Sequence, residues 1–200
     1  MKTLIWIFLC ATSLASDFRP HVRIIDEGKL SDVYSGVVTQ LNNEHYYVLT
    51  CGHGSKTKPP SEQNIRVHFV NDLFSIAVKG KIIQVDYDRD LALIEVARYK
   101  SINVLPMVIG ENPKVGDRCI SYGYRDGYQQ RVMTVKTLDF FRSIGGNEIL
   151  ECYGNVEQGM SGGALVYDNK VIGILSAKDD FSTTATYAPV IEINEFLENK

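Results

Sequence analysis

The sequence predicts an all-β protein, a barrel or sandwich built in two halves. Short β-rich runs recur along the chain with turn residues between them. They form two sets of similar size, separated by an irregular stretch at 102–114 that carries Pro106, Gly110 and Pro113. No repeat or low-complexity segment breaks the pattern.

In the first set, strands are expected at 34–41, 45–50, 65–69, 76–84 and 91–96. Asn42-Asn43-Glu44 suits a hairpin turn between the first two, since Asn tolerates turn conformations that β-branched residues resist. Residues 56–63, with Pro59-Pro60, read as a surface loop. The second set covers 118–123, 130–140, 149–153, 164–167, 171–176 and 186–190, with Asp168-Asn169 turning one hairpin. At 191–198 the spacing of Ile191, Ile193, Phe196 and Leu197 gives a short helix one apolar face to lay on the core.

The composition suits a globular chain that buries a core: 200 residues, 44% hydrophobic and 22% charged. Net charge is −3 and basic residues are scattered, so no basic stripe offers a footprint for nucleic acid. Residues 1–15 read as a secretory leader. Lys2 supplies the positive start, 4–10 an apolar run too short to span a bilayer, and Ser13-Leu14-Ala15 a small-x-small cleavage site. The alternative is an uncleaved N-terminal anchor. Cys10 does not make a lipoprotein site, because Ile7-Phe8-Leu9 is too bulky before it. Export with a mature chain starting near Ser16, and no stable membrane association after leader removal, is the expectation.

Export permits disulfides, but the mature chain keeps three cysteines, Cys51, Cys119 and Cys152, so at least one is unpaired within a monomer. Small buried hydrophobes are the expected role for all three. Cys51 and His53 alone are too few ligands for a metal site, and neither a metal nor an organic cofactor is expected.

Chemistry concentrates at three places. Glu157-Gln158-Gly159-Met160-Ser161-Gly162-Gly163 sets a serine among glycines and runs into an apolar strand. Glycines let the backbone turn tightly and gather N–H groups at one point, here those of Gly159 and Ser161, as an oxyanion-stabilising pair. A chemically silent glycine-rich hairpin is the bland alternative. Serine needs a base, and the base an orienting carboxylate. His53 follows an apolar strand end and is flanked by glycines that keep its ring accessible. His21 lies in the early tail, His45 beside a turn, and His68 in an alternating strand where it is expected to face solvent. Asp90 abuts the apolar run Leu91-Ala92-Leu93-Ile94, whereas Asp86 and Asp88 read as solvated loop charges. A partly buried carboxylate acts on the imidazole with less screening by water. His53 and Asp90 fall in the first strand set and Ser161 in the second, which places a site in the cleft between two halves.

Leu49-Thr50-Cys51-Gly52-His53, Asp90-Leu91-Ala92-Leu93-Ile94 and Gly159-Met160-Ser161-Gly162-Gly163 together resemble the motifs of the trypsin-like serine peptidases, in the family's order His, Asp, Ser. The resemblance covers roughly 34–197. It implies two six-stranded antiparallel β-barrels with a short C-terminal helix, a polypeptide substrate and a His53–Asp90–Ser161 triad. It also implies that Ser176, in Val171-Ile172-Gly173-Ile174-Leu175-Ser176, supports Asp90. By the same alignment Asn155, Lys178 and Ala185 would line the substrate pocket. No carboxylate falls at its floor, so small or medium uncharged residues are the expected preference, with Glu157 as the one group able to swing inward to a cation. Met160 stands where the zymogen branch carries an acidic residue, and no Ile-Val-Gly-Gly start exists, so activation by N-terminal cleavage is not expected. These departures resemble the compact bacterial and HtrA-like branch without its PDZ domain. The alternatives are a retired protease fold used as a binding module, and an esterase. The latter requires Ser-Asp-His order and a strand-to-helix elbow, against the apolar strand that follows Ser161 here.

Overall fold

In the computed structural model, the described residues are 17–27, 33–55, 64–72, 74–126, 129–179 and 182–199. The expected leader and the 56–63 loop lie outside them.

The described residues form two closed six-stranded antiparallel barrels, a two-stranded pair and one short α-helix at the end. The first barrel contains β2 (His21–Asp26), β3 (Val33–Leu41), β4 (His45–Cys51), β5 (Ile65–Val70), β6 (Ser75–Asp86) and β7 (Leu91–Ala97). They close in the order β2-β3-β4-β7-β6-β5. The second contains β9 (Arg118–Arg125), β10 (Gln129–Arg142), β11 (Glu148–Tyr153), β12 (Ala164–Tyr167), β13 (Lys170–Lys178) and β14 (Thr184–Pro189). It closes as β10-β11-β14-β13-β12-β9, the same permutation of its own strands. Closure removes exposed sheet edges. The helix α1 (Val190–Glu198) follows β14 directly.

Strand β2 completes the first barrel and was not expected from the sequence, where His21 belonged to an early tail. It pairs with both β3 and β5. Its inward residues Val22 and Ile24 are fully buried, but charges fall between them and mask the apolar alternation. The stretch 102–114 is irregular as expected, apart from β8 (Asn103–Val104), which pairs in parallel with β1 (Asp17–Phe18), and a bridge from Ile109 to Val171. The two hairpin turns fall where expected, and Asp168 and Asn169 both take positive φ, 49° and 58°.

Three apolar clusters account for the strand patterns. One fills each barrel. The third joins them: Val37, Leu49, Leu91 and Leu93 from the first barrel meet Ala164, Val166, Ile174 and Ala188 from the second, with Ile193 and Phe196 of α1. This explains why Leu91-Ala92-Leu93-Ile94 is apolar without alternation. Ile94 lines its own barrel while Leu91 and Leu93 face the other, so both faces of β7 are buried.

Candidate active site

Strands β4 and β7 run antiparallel with Cys51 opposite Leu91. Beyond Cys51 the chain enters a single 3₁₀ turn at His53–Ser55, and Asp90 immediately precedes β7. The register therefore brings His53 beside Asp90, 37 residues away in sequence. Nδ1 of His53 lies 2.8 Å from Oδ2 of Asp90 and 3.1 Å from Oδ1, and the His53 backbone N–H donates to Oδ1 at 2.7 Å. A proton on Nδ1 facing a carboxylate leaves Nε2 as the basic nitrogen of the neutral ring. The Asp90 side chain is 16% exposed and that of His53 39%, so the carboxylate is shielded while the ring stays reachable.

Ser176 joins them from the second barrel. Between Leu175 and Ala177 the pairing of β13 with β14 slips by one residue. Ser176 is the extra residue of this bulge, and its Oγ donates to Oδ2 of Asp90. Bulges re-aim side chains in this way.

The loop carrying Ser161 is tied to both barrels. Its carbonyl accepts the Ser35 N–H at 2.7 Å, the Gly162 N–H donates to Leu175, and the Leu175 N–H donates to Gly163. Gly162 and Gly163 are required by contact. A Cβ at Gly162, where φ is +80°, would lie 2.2 Å from the Ser35 carbonyl and from Oγ1 of Thr50. At Gly163 it would lie 1.9 Å from the Tyr122 carbonyl. These approaches seat Gly162 against the backbone of Ser35 and Cys51, the latter two residues from His53. Among the described residues no hydrogen bond joins Ser161 to His53. Nε2 instead faces the Cys51 sulfur at 3.6 Å. Such hydrogen bonds are often long without substrate.

Gly159 has φ +88° and is buried, and among the described residues neither its N–H nor that of Ser161 has an acceptor. Buried donors are ordinarily paired, so a free pair beside a serine is suited to a developing oxyanion. Ser35 fixes this loop. Its Oγ donates to the Gly159 carbonyl and accepts the Tyr124 N–H, both at 2.8 Å. The sequence reading missed Ser35. Its one signal was a small polar residue before Gly36, in the apolar half of the strand.

His53 is raised to about 10, by the Asp90 hydrogen bond first and the Cys51 contact next, against burial. Two histidines differ from expectation. His21 is 6% exposed, stacks on Tyr122 at 4.1 Å, and is lowered to about 4 by burial. His68 is half-buried and its Nδ1 meets Nη2 of Arg23 at 2.8 Å, not solvent alone. Asp86 is likewise more than a solvated charge: Oδ1 accepts the N–H groups of Asp88 and Arg89, each at 3.0 Å, and so shapes the turn into Asp90.

Met160 is fully buried in the second barrel, where Gly123 leaves room for it. Ala185 is 1% exposed and pairs with both Cys152 and Lys178. Asn155 is exposed and lines a groove of about 450 Å³ with Arg118, Lys136, Tyr153 and Thr183. Glu157 does not swing inward. Its carboxylate holds Arg131 at 3.1 Å and Arg125 at 3.6 Å. The three cysteines Cys51, Cys119 and Cys152 are free and buried.

Solved structures similar to this chain include the active form of the Rv3671c protease from M. tuberculosis, at TM-score 0.73 and 19% identity, over 90% of this chain and 79% of that one. Deg5 matches at TM-score 0.72 and 22% identity, over 88% and 86%. A serine endoprotease from Yersinia pestis matches at 0.72 and 21%, over 90% and 62%. Likeness at these identities concerns the fold. Among curated proteins none matches the sequence. The family of trypsin-like peptidase domains matches residues 34–174, which take in ten of the twelve barrel strands in whole or in part. The chain belongs to the trypsin-like peptidases.

Proposed function

We propose that the chain hydrolyses peptide bonds in polypeptides through Ser161, His53 and Asp90 and an acyl-enzyme intermediate. The observation that carries this is the His53 ring held at Nδ1 by Asp90, 2.8 Å away, with Ser176 on the same carboxylate. Ser161 Oγ attacks the scissile carbonyl as Nε2 of His53 takes its proton. The carbonyl oxygen becomes an oxyanion facing the N–H groups of Gly159 and Ser161. His53 then passes the proton to the leaving amine, and the C–N bond breaks to leave an ester on Ser161. Water, deprotonated by His53, hydrolyses that ester and restores the serine. Asp90 keeps the ring oriented and stabilises its charged form. No step calls on a metal or an organic cofactor.

We also infer export to a periplasmic or extracellular space, from the leader-like residues 1–15. Pocket residues remain Asn155, Lys178 and Ala185. By the family alignment, Ala185 in place of a glycine favours a shallow pocket, and the uncharged Met160 favours a site that needs no new N-terminus.

The test is labelling with a fluorophosphonate together with peptide cleavage. Wild type should react, and Ser161→Ala should lose labelling and about 10⁴–10⁶-fold in turnover with its fold intact. Wild-type protein that binds peptides but neither labels nor cleaves would instead identify a binding module.

A further inference from the structure

Asp90 has φ +55°, a left-handed conformation that aspartate tolerates at the end of a turn. The turn before it sets where that conformation aims the carboxylate. Asp86 caps the turn from within through the N–H groups of Asp88 and Arg89. What anchors Asp86 is Arg89. Its Nη1 donates to Oδ2 of Asp86 at 2.8 Å, and its Nη2 to Oε2 of Glu195 at 2.6 Å. Its Nε lies 2.8 Å from Oε2 of Glu192, an ion pair without the alignment of a hydrogen bond. Three nitrogens of one planar group thus meet three carboxylates, two of them on α1. The fork geometry of guanidinium permits this, and an ammonium does not.

The clamp is not a loose surface pair. The Arg89 side chain is 22% exposed and that of Glu192 only 8%. Glu192 is fixed on its other side, where Oε1 accepts the Glu148 N–H at 2.6 Å. Gln84, at the end of β6, also donates to the Phe196 carbonyl of α1 at 2.6 Å. Arg89, Asp90 and Ser176 line one small cavity of about 70 Å³. Arg89 sits one residue from the carboxylate, and among the described residues it makes no hydrogen bond or ion pair to His53 or Ser161.

We propose that Arg89 is a positioning residue for Asp90. By clamping Asp86 to Glu192 and Glu195, it fixes the turn that ends at Asp90 and makes the docking of α1 a condition for the His53–Asp90 contact. This rests on the triad reading above.

The experiment compares wild type, Arg89→Ala, Arg89→Lys and Glu195→Gln for kcat, KM and the proton resonance of His53 Nδ1, which reports the Asp90 contact without turnover. Arg89→Ala should lower kcat by about 10- to 100-fold, as small displacements of catalytic groups do, with KM within about twofold. Its Nδ1 proton signal should weaken or vanish. Arg89→Lys should recover part of kcat, and Glu195→Gln should show a smaller loss in the same direction. Glu195 is 49% exposed, so that variant keeps the test open if Arg89→Ala does not fold. A folded Arg89→Ala protein with wild-type kcat and an unchanged Nδ1 signal overturns the proposal. So does a Glu195→Gln protein unchanged in both readouts if Arg89→Ala cannot be folded. A wild-type chain that shows the Nδ1 signal but never reacts with a fluorophosphonate would overturn the triad reading instead, while the signal still tests the clamp.

Discussion

The sulfur of Cys51 lies 3.6 Å from Nε2 of His53, the nitrogen that a general base must offer to its nucleophile. Both residues sit at the end of one strand, so the contact is local in sequence, yet the reading of Cys51 as an inert small hydrophobe gave no hint of it. In the triad proposed above, the thiol and Ser161 would compete for one nitrogen.

That competition gives a pH prediction. The base works when neutral, and His53 is held protonated toward about 10, by Asp90 first and Cys51 second. Activity should therefore be low at pH 6 and still rising above pH 8, beyond the ordinary histidine range near 6.5. Cys51→Ala removes the second contribution and should move the midpoint to lower pH. The matching effect on stability has the opposite sense: it is full below the unfolded value near 6.5 and is lost as pH rises through the folded one. A rate profile already flat by pH 7, unchanged in the Cys51→Ala protein, would contradict this.

His21 titrates the other way. Its folded value is lowered to about 4, by burial first and Arg19 second. A neutral buried histidine stabilises above the unfolded value, and that contribution is lost as pH falls from 6.5 toward 4. The loss amounts to about 3 kcal/mol in all. His21→Phe keeps a ring for the stack on Tyr122 and should flatten this part of the stability curve. Urea unfolding at pH 7.5 and pH 4.5 measures it; equal acid losses in both proteins would remove His21 from the account.

Gly162→Ala should disable the site. The added Cβ meets the Ser35 carbonyl and Oγ1 of Thr50 at 2.2 Å, and φ there is +80°. Relief requires moving backbone, so a loss of at least about 2–3 kcal/mol in stability is expected, with fluorophosphonate labelling nearly abolished. Gly146, where φ is +87° and nothing lies within 4 Å, is the control. Gly146→Ala should cost about 1 kcal/mol and leave labelling intact. Labelling at the wild-type rate in Gly162→Ala would refute the close-approach argument.

Cleavage should favour small or medium uncharged side chains on the acyl side and disfavour Lys and Arg. Glu157, a carboxylate of the loop that carries Ser161, is already taken by Arg131 and Arg125. A basic substrate side chain would lose its hydration and meet Lys178 instead of a partner, costing several kcal/mol. A fluorogenic peptide panel varied at that position decides the matter, and a preference for Arg over Ala, Val and Leu would overturn it.

The local pattern of the chain determined much of this protein. Short β-rich runs marked 11 of the 12 barrel strands within a few residues, and Asn-rich and Asp-Asn turns marked two hairpins. The glycines around Ser161 were legible because close backbone approach leaves no room for another residue. His53 and Asp90 were legible because each adjoins an apolar strand end. The missing strand β2 was hidden by Arg23 and His21, charged or polar residues among its buried ones.

Only the tertiary structure decided which distant residues meet. The register of β4 on β7 sets His53 beside Asp90, and a bulge in β13 turns Ser176 toward the same carboxylate. Ser35 reaches Gly159 across 124 residues, and Arg89 reaches Glu195 across 106. A two-residue period and turn chemistry are local properties that sequence carries directly. Barrel closure, strand register and the partner of a buried charge are settled by packing among residues far apart, where no local pattern records the choice.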